Sequence, residues 1–267
     1  MKRIRVLSRL DWVFSFAGLL LLLFLVIPLV VTLLASSPKE LASGLSDREV
    51  LTSLWITFAS AFIATVIALV IGVPLAYLLA RREFPGKNLV QGIIDLPIII
   101  PHTAAGVALL MVFGRRGLLG GPLQSLGIYF TENMAGIVIA MLFVSLPILV
   151  DTARESMAMV DERLERVART LGASPLSAFR RVTLPLAWRG IMGGSVLMWA
   201  RGISEFGAVV ILAYNPKAIS VLIFERFEGF GLAAALPMTA LLLILALIIL
   251  VVTRTLLLPR KRKSGRR

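Results

Sequence analysis

Cysteine is absent from the 267 residues, and histidine occurs once, at His102. The first absence excludes a disulfide-stapled secreted module and any thiolate-held metal. The second leaves His102 without another imidazole to share an ion, so it reads as structural. Charge is scarce too. Asp, Glu, Lys and Arg make up 16% of the chain, against roughly 25% in soluble domains, which is too little polar material to cover a soluble surface. No G-x-x-x-x-G-K-[ST] loop occurs, because Gly86-Lys87 lacks the upstream glycine and reads as a turn. A Ser-His-Asp set and paired catalytic carboxylates are missing as well. The expectation is a chain that is not an enzyme, with no catalytic residue, no metal site and no cofactor of its own.

What fills the chain is apolar: 58% of it is hydrophobic. A helix crossing the bilayer core takes about 20 such residues. Six stretches meet or approach that length: 13–34, 51–80, 88–113, 133–151, 190–215 and 230–254. The expected fold is therefore an all-α integral membrane protein, a single domain over 1–267 with six transmembrane helices. An even number of crossings puts both termini on one side. If that side is the cytoplasm, inner segments hold 21 of the 28 Lys and Arg, outer segments hold six, and Arg201 lies within a span. The positive-inside bias thus makes both termini cytoplasmic in a multi-pass cell-membrane protein. It also accounts for the net charge of +13 without nucleic acid as a partner. The KRKSGRR tail reads as a topology anchor, with anionic lipid headgroups as the sharper alternative. The first apolar run exceeds the roughly 7–15 residues of a signal h-region and reads as a retained span.

In the second span small residues recur every fourth position, at Ser60, Ala64, Ala68, Gly72, Ala76 and Ala80. They share one helix face and let two backbones approach closely in lipid; the partner is either another span of the chain or a second subunit. Gly190 and Gly194 repeat the theme in the fifth span, followed by Ala200, Ser204 and Ala208. Pro97 and Pro101 loosen the third span. Irregular backbone at membrane depth survives only facing protein or a wet cavity, so they mark a broken helix near a pathway or a kink that serves packing. Asp95, in the inner half of that span, repels anions and is expected to be an ion-pair partner in a dimer of this chain.

Nearly forty residues between the fourth and fifth spans, 153–189, are not membrane-like. Ala153, Met157, Val160, Leu164, Val167 and Leu171 form an apolar stripe at helical spacing. Glu162–Arg166 and Glu165–Arg169 are favourable i,i+4 pairs for the wet face. Gly172 suits a left-handed cap. Ser174 then offers an N-cap oxygen, Pro175 a first helical position, and the new helix is expected to stop before Pro185. Helix, tight turn and short helix make a knob shaped for a groove on a partner.

RVARTLGASPLSAFRRVTLPL resembles the EAA loop of the permease subunits of bacterial and archaeal ABC importers, with Ala168, Gly172, Val182, Leu184 and Pro185 at matching positions. Arg166 and Val167 depart from it, standing where Glu and Ala are usual, with Glu165 one place earlier. WARGISEFGAVV and DLPIIIPHTAAGVALL resemble segments of the sulfate, thiosulfate, molybdate and tungstate permeases, and are worded closest to the molybdate/tungstate branch. The resemblance implies a cytoplasmic helix-turn-helix coupling loop between helices 4 and 5. It implies two copies of this chain with the pathway between them, two ATP-binding cassette subunits carrying ATP and Mg, and an extracytoplasmic oxyanion-binding protein. Coupling would fall to Glu165, Arg166, Ala168, Gly172, Ala173, Ser174, Pro175, Leu176, Phe179, Leu184 and Pro185.

A dianion needs a wet, polar route, yet a deep cationic well would hold it too long to conduct. One intramembrane Arg meets both demands, and intramembrane ionisable groups are functional candidates by default. Arg201 is that residue. Glu205, four residues on, either neutralises it as a structural pair or shares the pathway, while Thr103, Gly202 and Ser204 supply hydroxyl and backbone donors. Two rivals stand beside the molybdate/tungstate reading. One is a sulfate/thiosulfate permease. The other is an ion-coupled secondary anion transporter with Asp95 and Glu205 as proton sites.

Overall fold

A computed structural model describes residues 9–257, with side chains from Leu10 to Val252. The KRKSGRR tail, read above as a topology anchor, lies outside the described residues. The described residues form helices and connecting turns, without strand. Helix α1 (Arg9–Ala35) presents its Leu-rich surface almost wholly outward, an arrangement that needs lipid or another protein surface against it. A capping box starts α2 (Pro38–Ser46): Ser37 Oγ accepts the Glu40 N–H at 3.2 Å and Glu40 accepts the Ser37 N–H at 2.8 Å. Asp47 then caps α3 (Arg48–Arg81).

The third hydrophobic stretch is two helices, α4 (Lys87–Ile99) and α5 (His102–Phe113), bent by 115° at Ile100–Pro101. Pro97 is accommodated inside α4, while Pro101, unable to donate to the preceding turn, sits at the break. The short α6 (Gly120–Ser125) leads to α7 (Met134–Ala158). Helices α8 (Glu162–Thr170) and α9 (Pro175–Ala178) form the loop, and α10 (Leu184–Ile203) returns. After a break come α11 (Gly207–Leu212), α12 (Ile219–Phe230) and α13 (Leu232–Leu257).

By length and composition four helices can cross a membrane, α1, α3, α7 and α13, and a fifth if α4 and α5 together make one crossing. The stretch 190–215 is not one helix: α10 begins earlier, ends at Ile203, and carries Arg189 and Arg201. Helices α2, α6 and α12 arise where the sequence reading has loops.

The small-residue face of α3 packs inside the chain. Ser60, Ala64, Ala68 and Ala76 are buried, and Gly72 lies where an added Cβ would meet Val150 of α7 at 3.3 Å. At Gly190 a Cβ would fall 1.8 Å from Ser156 Oγ, and at Gly194 2.8 Å from Thr152 Cβ. Both glycines therefore seat α10 directly on α7. The central layer is α3, α7 and α10, with Ile137, Met141, Leu149, Met157, Ile191 and Met198 fully covered between them.

Candidate functional site

Two regions gather the predicted residues, one at the loop and one where two helices break.

The apolar stripe of the loop divides. Ala153, Met157 and Val160 are buried at the end of α7, whereas Leu164, Val167 and Leu171 face outward on α8. The division follows from Asp161, whose carboxylate accepts the Arg163 N–H at 2.9 Å and caps a new helix. Gly172 has φ +91°, and behind it Gly172 N–H bonds Arg169 O and Ala173 N–H bonds Ala168 O, each at 3.0 Å. That is the left-handed cap expected of this glycine. Ser174 Oγ accepts the Ser177 N–H at 3.2 Å, with Pro175 at the first helical position.

Two expectations are corrected. The second loop helix does not stop before Pro185. It passes through a π-helical turn, Phe179–Thr183, straight into α10, and the wider turn lets Pro185, which has no N–H to donate, sit in the first turn of that helix. Glu162–Arg166 and Glu165–Arg169 do not pair either. Glu165 turns inward, its side chain 12% exposed, to Arg81 Nε at 2.8 Å, Tyr77 OH at 2.9 Å and Thr183 Oγ1. Burial pushes its carboxyl up, but the bonds from Thr183, Tyr77 and Arg81 outweigh burial and hold it below the usual carboxylate range. Arg81 also donates to Val160 O at 2.8 Å, and Phe179 packs on Tyr77 with the rings tilted by 60° and their centroids 4.7 Å apart. The loop thus has a bonded root at Glu165, Phe179 and Thr183 and an exposed apolar tip, where Leu171 and Leu176 are 84% and 63% exposed. Arg166 lies exposed beside the root, Ala173 and Leu184 are half-buried, and Pro185 is exposed. Sequence reasoning missed Tyr77, Arg81 and Thr183, because partners 84 and 88 residues away leave no local signal.

The second region lies where the break between α4 and α5 meets the break between α10 and α11. Gly207 makes the approach possible: an added Cβ would stand 2.8 Å from His102 Cβ and 3.1 Å from Thr103 N. A cavity of about 600 Å³ opens there, lined by His102, Thr103, Arg201 and Ser204 among apolar neighbours such as Ile99 and Phe206. Arg201 Nη2 is 3.0 Å from the His102 ring nitrogens and 3.0 Å from Glu205 Oε2, with Nη1 3.4 Å from Ser204 Oγ. Glu205 is fully buried behind the arginine. Its Oε1 caps α11 by accepting the Ala208 N–H at 2.9 Å, and its carbonyl accepts from Ser220 Oγ at 2.8 Å.

Arg201, Thr103 and Ser204 therefore share one wall, Glu205 balances the charge from inside, and Gly202 packs away from the cavity against Ala61, 3.3 Å from its added Cβ. His102, read as structural from its isolation in the sequence, belongs to this cluster, 3.2 Å from Glu205 Oε2. A guanidinium together with the first turn of α5, whose leading N–H groups have no helical acceptor, makes the wall attractive to anions. Asp95 lies outside this cluster; its Oδ1 is buried without a hydrogen bond.

Residues 72–263 match the family described as binding-protein-dependent transport system inner membrane component. The chain is 41% identical over 247 residues to a molybdate/tungstate transport system permease protein, WtpB, of Thermococcus kodakarensis, covering 92% of this chain and 95% of that protein. It is 34% identical over 266 residues to the sulfate transport system permease protein CysT of Synechococcus elongatus, covering 97% and 96%. Its fold is similar to that of a chain from a bacterial ABC transporter involved in the import of the acidic polysaccharide alginate. There the TM-score is 0.71 with 15% identity, over 96% of each chain. The chain belongs to the family of binding-protein-dependent transport system inner membrane components.

Proposed function

We propose that this chain is the permease subunit of an ABC importer that carries molybdate or tungstate into the cell. Two copies face each other, two ATP-binding subunits holding ATP and Mg dock on the loops, and an extracytoplasmic binding protein delivers the oxyanion. Both termini are cytoplasmic, and α10 with α11 makes the fifth of six crossings. The observation that carries the oxyanion route is Arg201 in a 600 Å³ cavity between two broken helices. Its charge is offset by buried Glu205 at 3.0 Å, so the wall attracts a dianion without holding it fast. The higher identity to a molybdate/tungstate permease than to a sulfate permease supports the substrate class.

The apolar tip at Leu171 and Leu176 supports docking, since such side chains gain by leaving water. Closure of the ATPase pair then draws the two loops together. The root at Glu165, through Arg81, Tyr77 and Thr183, passes the movement to α3 and α10 as a rigid-body transition. The ion-coupled reading has less support, because Glu205 is occupied by Arg201 and by the cap of α11.

The test is co-purification of the chain with its ATP-binding and receptor subunits, then uptake in vesicles with molybdate, tungstate and sulfate in competition. ATP-dependent uptake blocked by molybdate and tungstate but not by sulfate is expected. Uptake blocked best by sulfate transfers the assignment to the sulfate branch, and uptake without any ATPase overturns it.

A further inference from the structure

The root of the loop encloses a second, smaller cavity of about 110 Å³, between the end of α3 and helices α8 and α9. Four guanidiniums line it, Arg81, Arg82, Arg166 and Arg169, with two carboxylates, Glu162 and Glu165. The carboxylates are already committed: Arg81 lies 2.8 Å from Glu165 and 3.9 Å from Glu162. Arg82, Arg166 and Arg169 take part in no ion pair or side-chain hydrogen bond among the described residues. A surplus of two positive charges thus faces one recess. Like charges held this close repel, and an anion seated between them relieves the repulsion. Guanidinium forks pair with the oxygens of phosphate-type anions in a bidentate manner. The recess has room for roughly three or four waters, the scale of one tetrahedral group rather than a nucleotide or a peptide. Arg166, standing where the resembling loops carry Glu, contributes to the positive surplus.

We infer that this recess binds a tetrahedral oxyanion of the phosphate class, either free in the cytosol or as the headgroup of an anionic phospholipid. Bound there, it bridges α3 to α8 and stiffens the root of the loop, so internal anion or lipid composition tunes how firmly the loop is held. The inference is independent of the route through Arg201.

The experiment uses the full-length chain in nanodiscs, with inorganic phosphate as probe, in phosphatidylcholine alone and with phosphatidylglycerol added. Phosphate should bind in phosphatidylcholine discs and weaken about ten-fold or more in Arg166→Gln/Arg169→Gln, as loss of charge-assisted hydrogen bonds implies, while Arg116→Gln, at an exposed arginine outside both cavities, stays within about two-fold. Both replaced positions are exposed, so the helix core is untouched. Unchanged phosphate affinity in phosphatidylglycerol discs identifies the free anion as occupant. Competition there, with phosphatidylglycerol retained in native mass spectrometry by the wild type and not by the double variant, identifies the headgroup. Absence of phosphate and lipid binding to the wild type, or equal binding by the double variant, overturns the inference. A double variant that instead only loses its ATPase subunit on co-purification also overturns it, and makes a partner carboxylate the occupant.

Discussion

Removing the Glu165 carboxylate is the most direct way to loosen the loop from the span that holds it. Its partners sit on two other elements: Arg81 and Tyr77 near the end of α3, and Thr183 in the π-helical turn. The Arg81 side chain is 6% exposed. Glu165→Ala therefore leaves a nearly dry guanidinium with the Val160 carbonyl at 2.8 Å and Glu162 at 3.9 Å as its remaining contacts. Breaking a buried pair costs about 3–5 kcal/mol, and those surviving contacts place this one at the lower end, about 3 kcal/mol. In hydrogen exchange that is a loss of about two decades of protection in α8 and the π turn, at roughly 1.4 kcal/mol per decade. Helices α1 and α13 should be unaffected. The sign with pH is fixed by the lowered carboxyl. The stabilisation is complete above the ordinary Glu value of 4.5 and is lost as the pH falls through the lower folded-state value. Protection in Glu165→Ala within about two-fold of wild type would refute the reasoning, because α8 would then open without breaking this pair.

At Gly172 an added Cβ meets nothing within 4 Å, but φ is +91°. Gly172→Ala should thus lose about 1–2 kcal/mol of loop stability through backbone strain alone, and Gly172→Trp should uncouple ATPase stimulation from uptake; normal uptake and stimulation in the latter are fatal to the idea. Arg201→Ala strands a fully buried Glu205 and should cost about 3–5 kcal/mol in thermal unfolding as well as abolish flux. Arg201→Leu/Glu205→Gln should regain folding without regaining flux, and a flux-competent double variant removes Arg201 from the route. Gly190→Ala places a methyl 1.8 Å from Ser156 Oγ and should lower folded yield, with Ser156→Gly restoring most of it. Additive rather than compensating effects would show that the two helices are not seated there.

Much of this protein was readable from residue order. Hydrophobic length announces α1, α3, α7 and α13, since lipid demands a run of apolar side chains whatever the packing. Gly172, Ser174 and Pro175 announce the turn between α8 and α9, because caps are local chemistry within a few residues. Other features lay beyond it. Pro185 looked like a terminator and is the start of α10, because a π turn ahead of it absorbs the lost hydrogen bond. The wet-face pairs of the loop did not form, because Arg81, far away in sequence, competes for Glu165 in a drier setting.

The sequence by itself determined the solvent of this protein, the hydrophobic lengths of its main spans and the cap chemistry of its loop, all consequences of interactions between near neighbours or with lipid. The tertiary structure alone decided that the α3 stripe meets α7, that His102 joins Arg201, and that Glu165 turns inward. Those outcomes depend on which distant side chain arrives within about 3 Å, and residue order does not encode that distance until the helices have packed.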